Sequence, residues 1–176
     1  MRSPADLLLE DRENQLRLLE ARAARLRPPS KEERKLLGSV VTFRRAQGLY
    51  ALSLTDLREI RPLTRICLIP GASPIVPGLV HYRGELLSLH DLASFAGSDQ
   101  ANVTASWVLV AEQNKRRIGL MADDVLDVVD IEVGGMQSVP LTLGEFGEVF
   151  AGMTRERVLV LDAAKLFQSS RFIAAF

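Results

Sequence analysis

The sequence predicts a mainly β body, preceded by a helical extension and closed by a short C-terminal helix. Three observations carry this. Residues 39 to 176 hold short apolar runs that alternate with polar residues at period two, the pattern of half-buried strands. Turn signals punctuate those runs at Gln47-Gly48, Arg83-Gly84, Asn114-Lys115 and Gly134-Gly135. The start of the chain is charged and free of strand patterning, which divides it into a helical extension over 1–36 and a β body over 37–176.

The extension has consistent helix punctuation. Ser3 is an N-cap with Pro4 at the first helical position, Asp6, Glu10 and Asp11 come early, and Arg22, Arg25 and Arg27 come late. Acids then meet the positive end of the helix dipole and bases the negative end, before Pro28-Pro29 stops it. Such a helix runs about 24 residues and about 36 Å. Leu16, Leu19, Ala23 and Leu26 follow a 3-4-3 spacing, with Leu9 one heptad before Leu16 and Arg12 interrupting the stripe. So narrow a stripe suits packing on the protein's own body, self-association through a two-chain coiled coil, or docking to another protein. Ser30-x-x-Glu33 offers a capping box for one further turn ending near Gly38.

In the body, Val80 and Tyr82 alternate with Leu79 and His81, and Leu87 and Leu89 with Ser88 and His90, so these runs form two strands of a hairpin. Gly84 supplies positive φ at the turn between them. Asp91 is placed to cap the short helical run Leu92 to Phe95, which Gly97 ends. Arg83 stands apart, because a hairpin turn has no steric or hydrogen-bonding need for a guanidinium. The expected core includes Val108, Val110, Leu120, Val125, Val128, Ile131, Val133 and the strand Val158 to Leu161. Aligning Asp91 with Asp162 sets Leu87, Leu89, Leu92 and Phe95 against Val158, Val160, Ala163 and Leu166. A strand, an acidic cap and a short apolar helix therefore occur twice, which suggests two similar subdomains. Phe167, Phe172, Ile173 and Phe176 fit one face of the last helix.

At 176 residues, 47% hydrophobic and 25% charged, the chain is one domain's worth of ordinary globular protein. Twenty-two bases balance 22 acids, leaving no global field to attract nucleic acid or anionic lipid. The lone Cys67, between Ile66 and Leu68, reads as a small buried hydrophobe. Leu7-Leu8-Leu9 is interrupted at once by Glu10, Asp11 and Arg12, so no secretory signal or membrane span is visible and a cytoplasmic location is expected.

Catalytic patterns are sparse. Ser88, His90 and Asp91 invite a small-hydrolase reading, but Ser88 and His90 lie two apart on one strand and share a face, while Asp91 points to the other. No G-x-S-x-G elbow, phosphate-binding glycine loop or converging ligand set accompanies them, so neither a metal nor a cofactor is expected.

Pro70 to Phe95, PGASPIVPGLVHYRGELLSLHDLASF, resembles the signature of CheW-like domains, scaffolding modules of bacterial chemosensory arrays. The matching positions are Pro74, Val76, Gly78, Leu79, Val80, Tyr82, Arg83, Gly84, Leu86, Leu87, Leu89, Asp91 and Leu92. His81 stands where that family usually has Asn, and Ser88 where it usually has Pro. Upstream, Leu49-Tyr50-Ala51-Leu52 and Leu57-Arg58-Glu59-Ile60 are similar to two further family elements, with Ile66 and Pro70 completing the approach. Downstream, Ile118 to Val125 resembles its G-(apolar)-(apolar)-V-D-x-V strand, with Ala122 for the usual Val, and Val158 to Phe167 its closing strand and helix. The resemblance implies two small five-stranded Src-homology-3-like barrels packed on a shared apolar seam. It implies a non-enzymatic adaptor coupling chemoreceptor tips to the regulatory domain of a CheA-type histidine kinase, or a scaffold of another signalling or motility system that binds only one of these. Carried over by position, Leu57, Glu59, Ile60, Arg83 and Gly84 are the expected partner-binding residues.

Overall fold

The computed structural model describes residues 36–96 and 104–170. The predicted N-terminal helix with its stripe Leu9, Leu16, Leu19, Ala23 and Leu26 lies outside the described residues, as do Gly97, Phe172, Ile173 and Phe176.

The described chain is mainly β and forms two sheets. The first contains β1 (Leu36–Arg45), β2 (Gly48–Ser53), β9 (Asp124–Glu132), β10 (Phe150–Met153) and β11 (Leu159–Leu161), in the order β10-β11-β2-β1-β9. The second contains β3 (Leu57–Pro62), β4 (Cys67–Leu68), β5 (Gly78–Tyr82), β6 (Glu85–His90), β7 (Trp107–Gln113) and β8 (Arg116–Ala122), in the order β3-β7-β8-β6-β5-β4. Both ends of the body thus build the first sheet, and the middle builds the second.

Arg83-Gly84 and Asn114-Lys115 form hairpin loops and Gln47-Gly48 straddles the end of a third, whereas Gly134-Gly135 lies in a 3-10 turn after β9. Arg45 opposite Gly48, Tyr82 opposite Glu85 and Gln113 opposite Arg116 each enclose a two-residue loop. Arg83 and Gly84 both take positive φ, at 49° and 90°, the type I′ geometry whose twist matches paired strands. The expected turn ending near Gly38 is replaced by the start of β1, in which Gly38 has φ 108° beside a register shift.

Three apolar clusters explain why the central strands read as continuous hydrophobic runs. In β7, Val108 and Val110 join Val80, Tyr82, Leu87, Leu89 and Met121 in a core private to the second sheet. Leu109 and Ala111, on the opposite face of β7, join Val41, Phe43, Tyr50, Leu52 and Leu120 in a core shared by both sheets. The first sheet keeps its own small core of Val40, Ala51, Ile131 and Val160. Strands covered on both faces lose the apolar-polar alternation.

The internal echo is visible in three dimensions. β6 leads through Asp91 into α1 (Leu92–Phe95), and β11 through Asp162 into α2 (Ala163–Gln168). The Asp91 carboxylate accepts from the Ala93 N–H and that of Asp162 from the Lys165 N–H. Each acid's own N–H donates to a preceding backbone carbonyl, Ile75 for Asp91 and Val149 for Asp162. Each strand also has a parallel neighbour, β8 for β6 and β2 for β11.

Several expectations need correction. The sheets have five and six strands rather than five each, because the two-residue β4 adds an edge to β5. The described pairings join the end strands of neither sheet, so the pair of closed five-stranded barrels is not seen. Val128 is 53% exposed, since among the described residues β9 is an edge strand flanked by β1 alone, while Val125 is half-buried against the shared core. Cys67 is exposed, because its neighbour Ile66 takes the inward position against the second sheet's core. Among the described residues, no helix is long and apolar enough to cross a membrane.

Candidate partner-binding site

Glu59 lies on β3, at one edge of the second sheet, while Tyr82 lies on β5 near the other edge. The sheet curls until their side chains meet, with the Tyr82 hydroxyl donating to Glu59 Oε2 at 3.0 Å. Arg83 approaches the same oxygen from the hairpin turn, Nη2 at 2.8 Å and Nε at 3.2 Å. Its guanidinium stands 5.5 Å from the centroid of the Tyr82 ring, and Arg61 stands 6.0 Å from it. Three donors on one carboxylate oxygen favour its charged form. The Arg83 hydrogen bond first, then that of Tyr82, hold Glu59 below the usual carboxylate range. Burial, then the bond to Glu59, push the Tyr82 phenol up.

This arrangement answers the question the sequence raised about Arg83. The side chain of Arg83 is 66% exposed and that of Glu59 30%, so the pair is solvated and adds little to stability. Arg83 also holds a left-handed backbone that non-glycine residues adopt at a cost. A charged group presented in this way, fixed in position yet open to solvent, is suited to meeting a partner.

Of the residues expected at a partner surface, the structure brings Glu59, Arg83 and the turn residue Gly84 together. Leu57 and Ile60 flank Glu59 on β3 but turn the other way, half-buried against the shared core. A register shift between Leu57 and Glu59 in the β3–β7 ladder separates them.

Sequence reasoning missed a second constellation. Arg45, at the end of β1, is 3% exposed and grips Asp91 with two parallel bonds, Nε to Oδ1 at 2.9 Å and Nη2 to Oδ2 at 2.7 Å. Its Nη1 donates to Asp123 Oδ1 at 2.7 Å and to the Thr104 carbonyl at 2.9 Å. Asp123, between β8 and β9, also accepts from the Ala46 N–H. One guanidinium therefore ties the first sheet to the second through the two acids that end β6 and β8. A signal was available: Val41 and Phe43 precede Arg45 at period two, which places an arginine on a buried face and requires acids to meet it.

The same network bears on the hydrolase reading. Ser88 Oγ and His90 Nε2 do lie 3.0 Å apart. Asp91, however, is engaged by Arg45, the Ala93 N–H and Ser94 Oγ, and so does not orient the imidazole. Burial also pushes the His90 pKa down to about 4, which keeps it neutral. Among the described residues, no group of three or more His, Cys, Asp or Glu side chains converges to hold a metal.

The family model for the CheW-like domain matches residues 39–171. The chain is 25% identical over 141 residues to the "Probable chemotaxis protein CheW" of Rhizobium etli, spanning 77% of this chain and 91% of that one. It is 28% identical over 113 residues to the "Chemotaxis protein CheW" of Rhizobium meliloti, spanning 64% and 73%. Among solved structures, the scaffolding protein TtCheW from Thermoanaerobacter tengcongensis superposes with a TM-score of 0.61 at 21% identity, covering 71% of this chain and 88% of that one. That likeness is one of fold. With a family match running from β1 through α2, the chain belongs to the CheW-like domain family.

Proposed function

We propose that this protein is a non-catalytic scaffold of chemotaxis-type signalling that acts in the cytoplasm and couples chemoreceptor tips to the regulatory domain of a CheA-type histidine kinase. The family match and the chemotaxis proteins it resembles support the scaffold role. The observation that carries the choice of surface is the exposed Glu59–Arg83 pair, anchored by Tyr82 at the tip of the β5–β6 hairpin. A partner's polar groups would meet Arg83 and Gly84, while the half-exposed edges of Leu57 and Ile60, on the other side of β3, would supply a second, aliphatic contact. In such interfaces aliphatic burial provides most of the affinity, and a few charges set orientation.

Isothermal titration of the kinase regulatory domain and of a receptor-tip fragment tests this. Arg83→Ala and Glu59→Gln should each weaken at least one partner by about tenfold or more, with circular dichroism unchanged. Unchanged affinity for both partners would remove the pair from the interface. Binding to one partner alone would make the protein a scaffold of a different signalling system. Comparing the full chain with one beginning at Ser30 in sedimentation reads whether residues 1–29 add self-association.

A further inference from the structure

The longest stretch without a basic residue runs from Ile118 to Thr154, which holds seven acids and no Lys or Arg. Within it, β9 forms an edge of the first sheet, paired to β1 and to no other strand among the described residues. Edge strands usually carry short, polar or covered outer faces. β9 is nine residues long, with Leu126 49%, Val128 53% and Val129 39% exposed, so apolar groups protrude from both of its faces. On one side, Val129, Ile131 and Val158 line a cleft of about 300 Å³ beside Asp130 and Glu156.

The backbone of this edge is held in a particular state. Asp127 directs its N–H and C=O to Thr42 of β1. The next N–H along the strand, that of Val128, therefore faces away from β1, and the Asp127 carboxylate accepts it at 2.7 Å. An incoming strand's carbonyl could replace that carboxylate and release it toward the newcomer's own side chains.

We propose that β9 is a docking edge for an extended segment of another protein in which aliphatic and basic residues alternate. Such a segment would add as a further strand, place its aliphatic side chains beside Val128 on one face, and set its Lys or Arg beside Asp127 on the other. Charge decides among occupants. Pairing β9 with a second β9 would bring Asp124, Asp127, Asp130 and Glu132 against the same set, and an anionic lipid surface meets the same repulsion. The site is separate from the Glu59–Arg83 pair, which lies on the other sheet.

The test titrates two short synthetic peptides into the isotope-labelled full chain, one alternating valine with lysine and one with glutamate in place of lysine. For the lysine peptide, amide shifts and slowed hydrogen exchange should concentrate at Leu126 to Asp130, with affinity falling as salt rises. Asp127→Lys, and independently Val128→Glu, should weaken that binding by about tenfold or more. The proposal is overturned if shifts are absent from β9 or spread over the whole surface. It is equally overturned if the glutamate peptide binds as well, or if β9 shifts track concentration-dependent dimerisation of the protein alone.

Discussion

Arg45 illustrates how one residue can hold two sheets in place. Its bonds to Asp91 and Asp123 cross the boundary between them, and the acids hold its guanidinium firmly charged, raising its pKa. Removing one member of a buried ion network leaves the others desolvated and unpaired. Arg45→Met should therefore cost about 3–5 kcal/mol in urea unfolding, and a loss below about 1 kcal/mol would show that water reaches the acids. His90 gives a pH signature at the same scale. Its folded pKa of about 4 lies below the ordinary 6.5, so the unfolded chain takes up the proton first. That contribution is complete above pH 6.5 and drains away as pH falls toward 4, amounting to about 3 kcal/mol in all. His90→Gln, which can still bond to Ser88 but does not titrate, should flatten the urea midpoint over that window. A wild-type midpoint that stays constant from pH 6.5 to 4.5 would contradict the burial argument. The carboxylates held low, Glu59 and Glu112, keep their contribution down to their ordinary value of 4.5 and lose it below, so they leave the range from pH 6.5 to 4.5 to the histidine.

Among the elements, β8 is tightly constrained. It is flanked by β7 and β6 and faces a core on each side. Gly119 sits where a Cβ would come within 2.8 Å of Val108 Cγ2 and 2.9 Å of Leu89 Cδ2. Both neighbours are fixed in the second sheet's core, so neither withdraws freely. Gly119→Ala should cost about 1–3 kcal/mol by overpacking, read as a lower denaturant midpoint with unchanged slope. No cost would mean that the Val108 and Leu89 side chains can withdraw from β8.

At the scale of the molecule, the first sheet is assembled from β1 and β2 at one end of the described chain and from β9, β10 and β11 at the other, with the second sheet inserted between. The first sheet is not complete until the second has been threaded between its strands, and both contribute to the shared core. Unfolding should therefore be a single cooperative transition. Fluorescence of Trp107, the only tryptophan, reports on the second sheet, and far-UV circular dichroism reports on both. The two urea curves should coincide. Separate midpoints would mean two independently stable subdomains.

Local chemistry carried much of this in the sequence. The hairpin at Arg83-Gly84, the caps at Asp91 and Asp162, and the repeated strand-cap-helix unit were legible because each depends on residues adjacent in the chain. The surplus charge on Arg83 was legible for the same reason, as something its own hairpin did not explain. What the chain alone left undecided was every long-range partner. Arg45 lies 46 residues from Asp91 and 78 from Asp123, so nothing local marks them as a set. The exposure of Val128 and Cys67 likewise depends on which strand ends at an edge, and an apolar residue carries no record of its neighbours. Propensity and turn chemistry act over a few residues and determine elements. Which faces are covered, and which charges meet, is decided only when the curl of each sheet brings distant strands together.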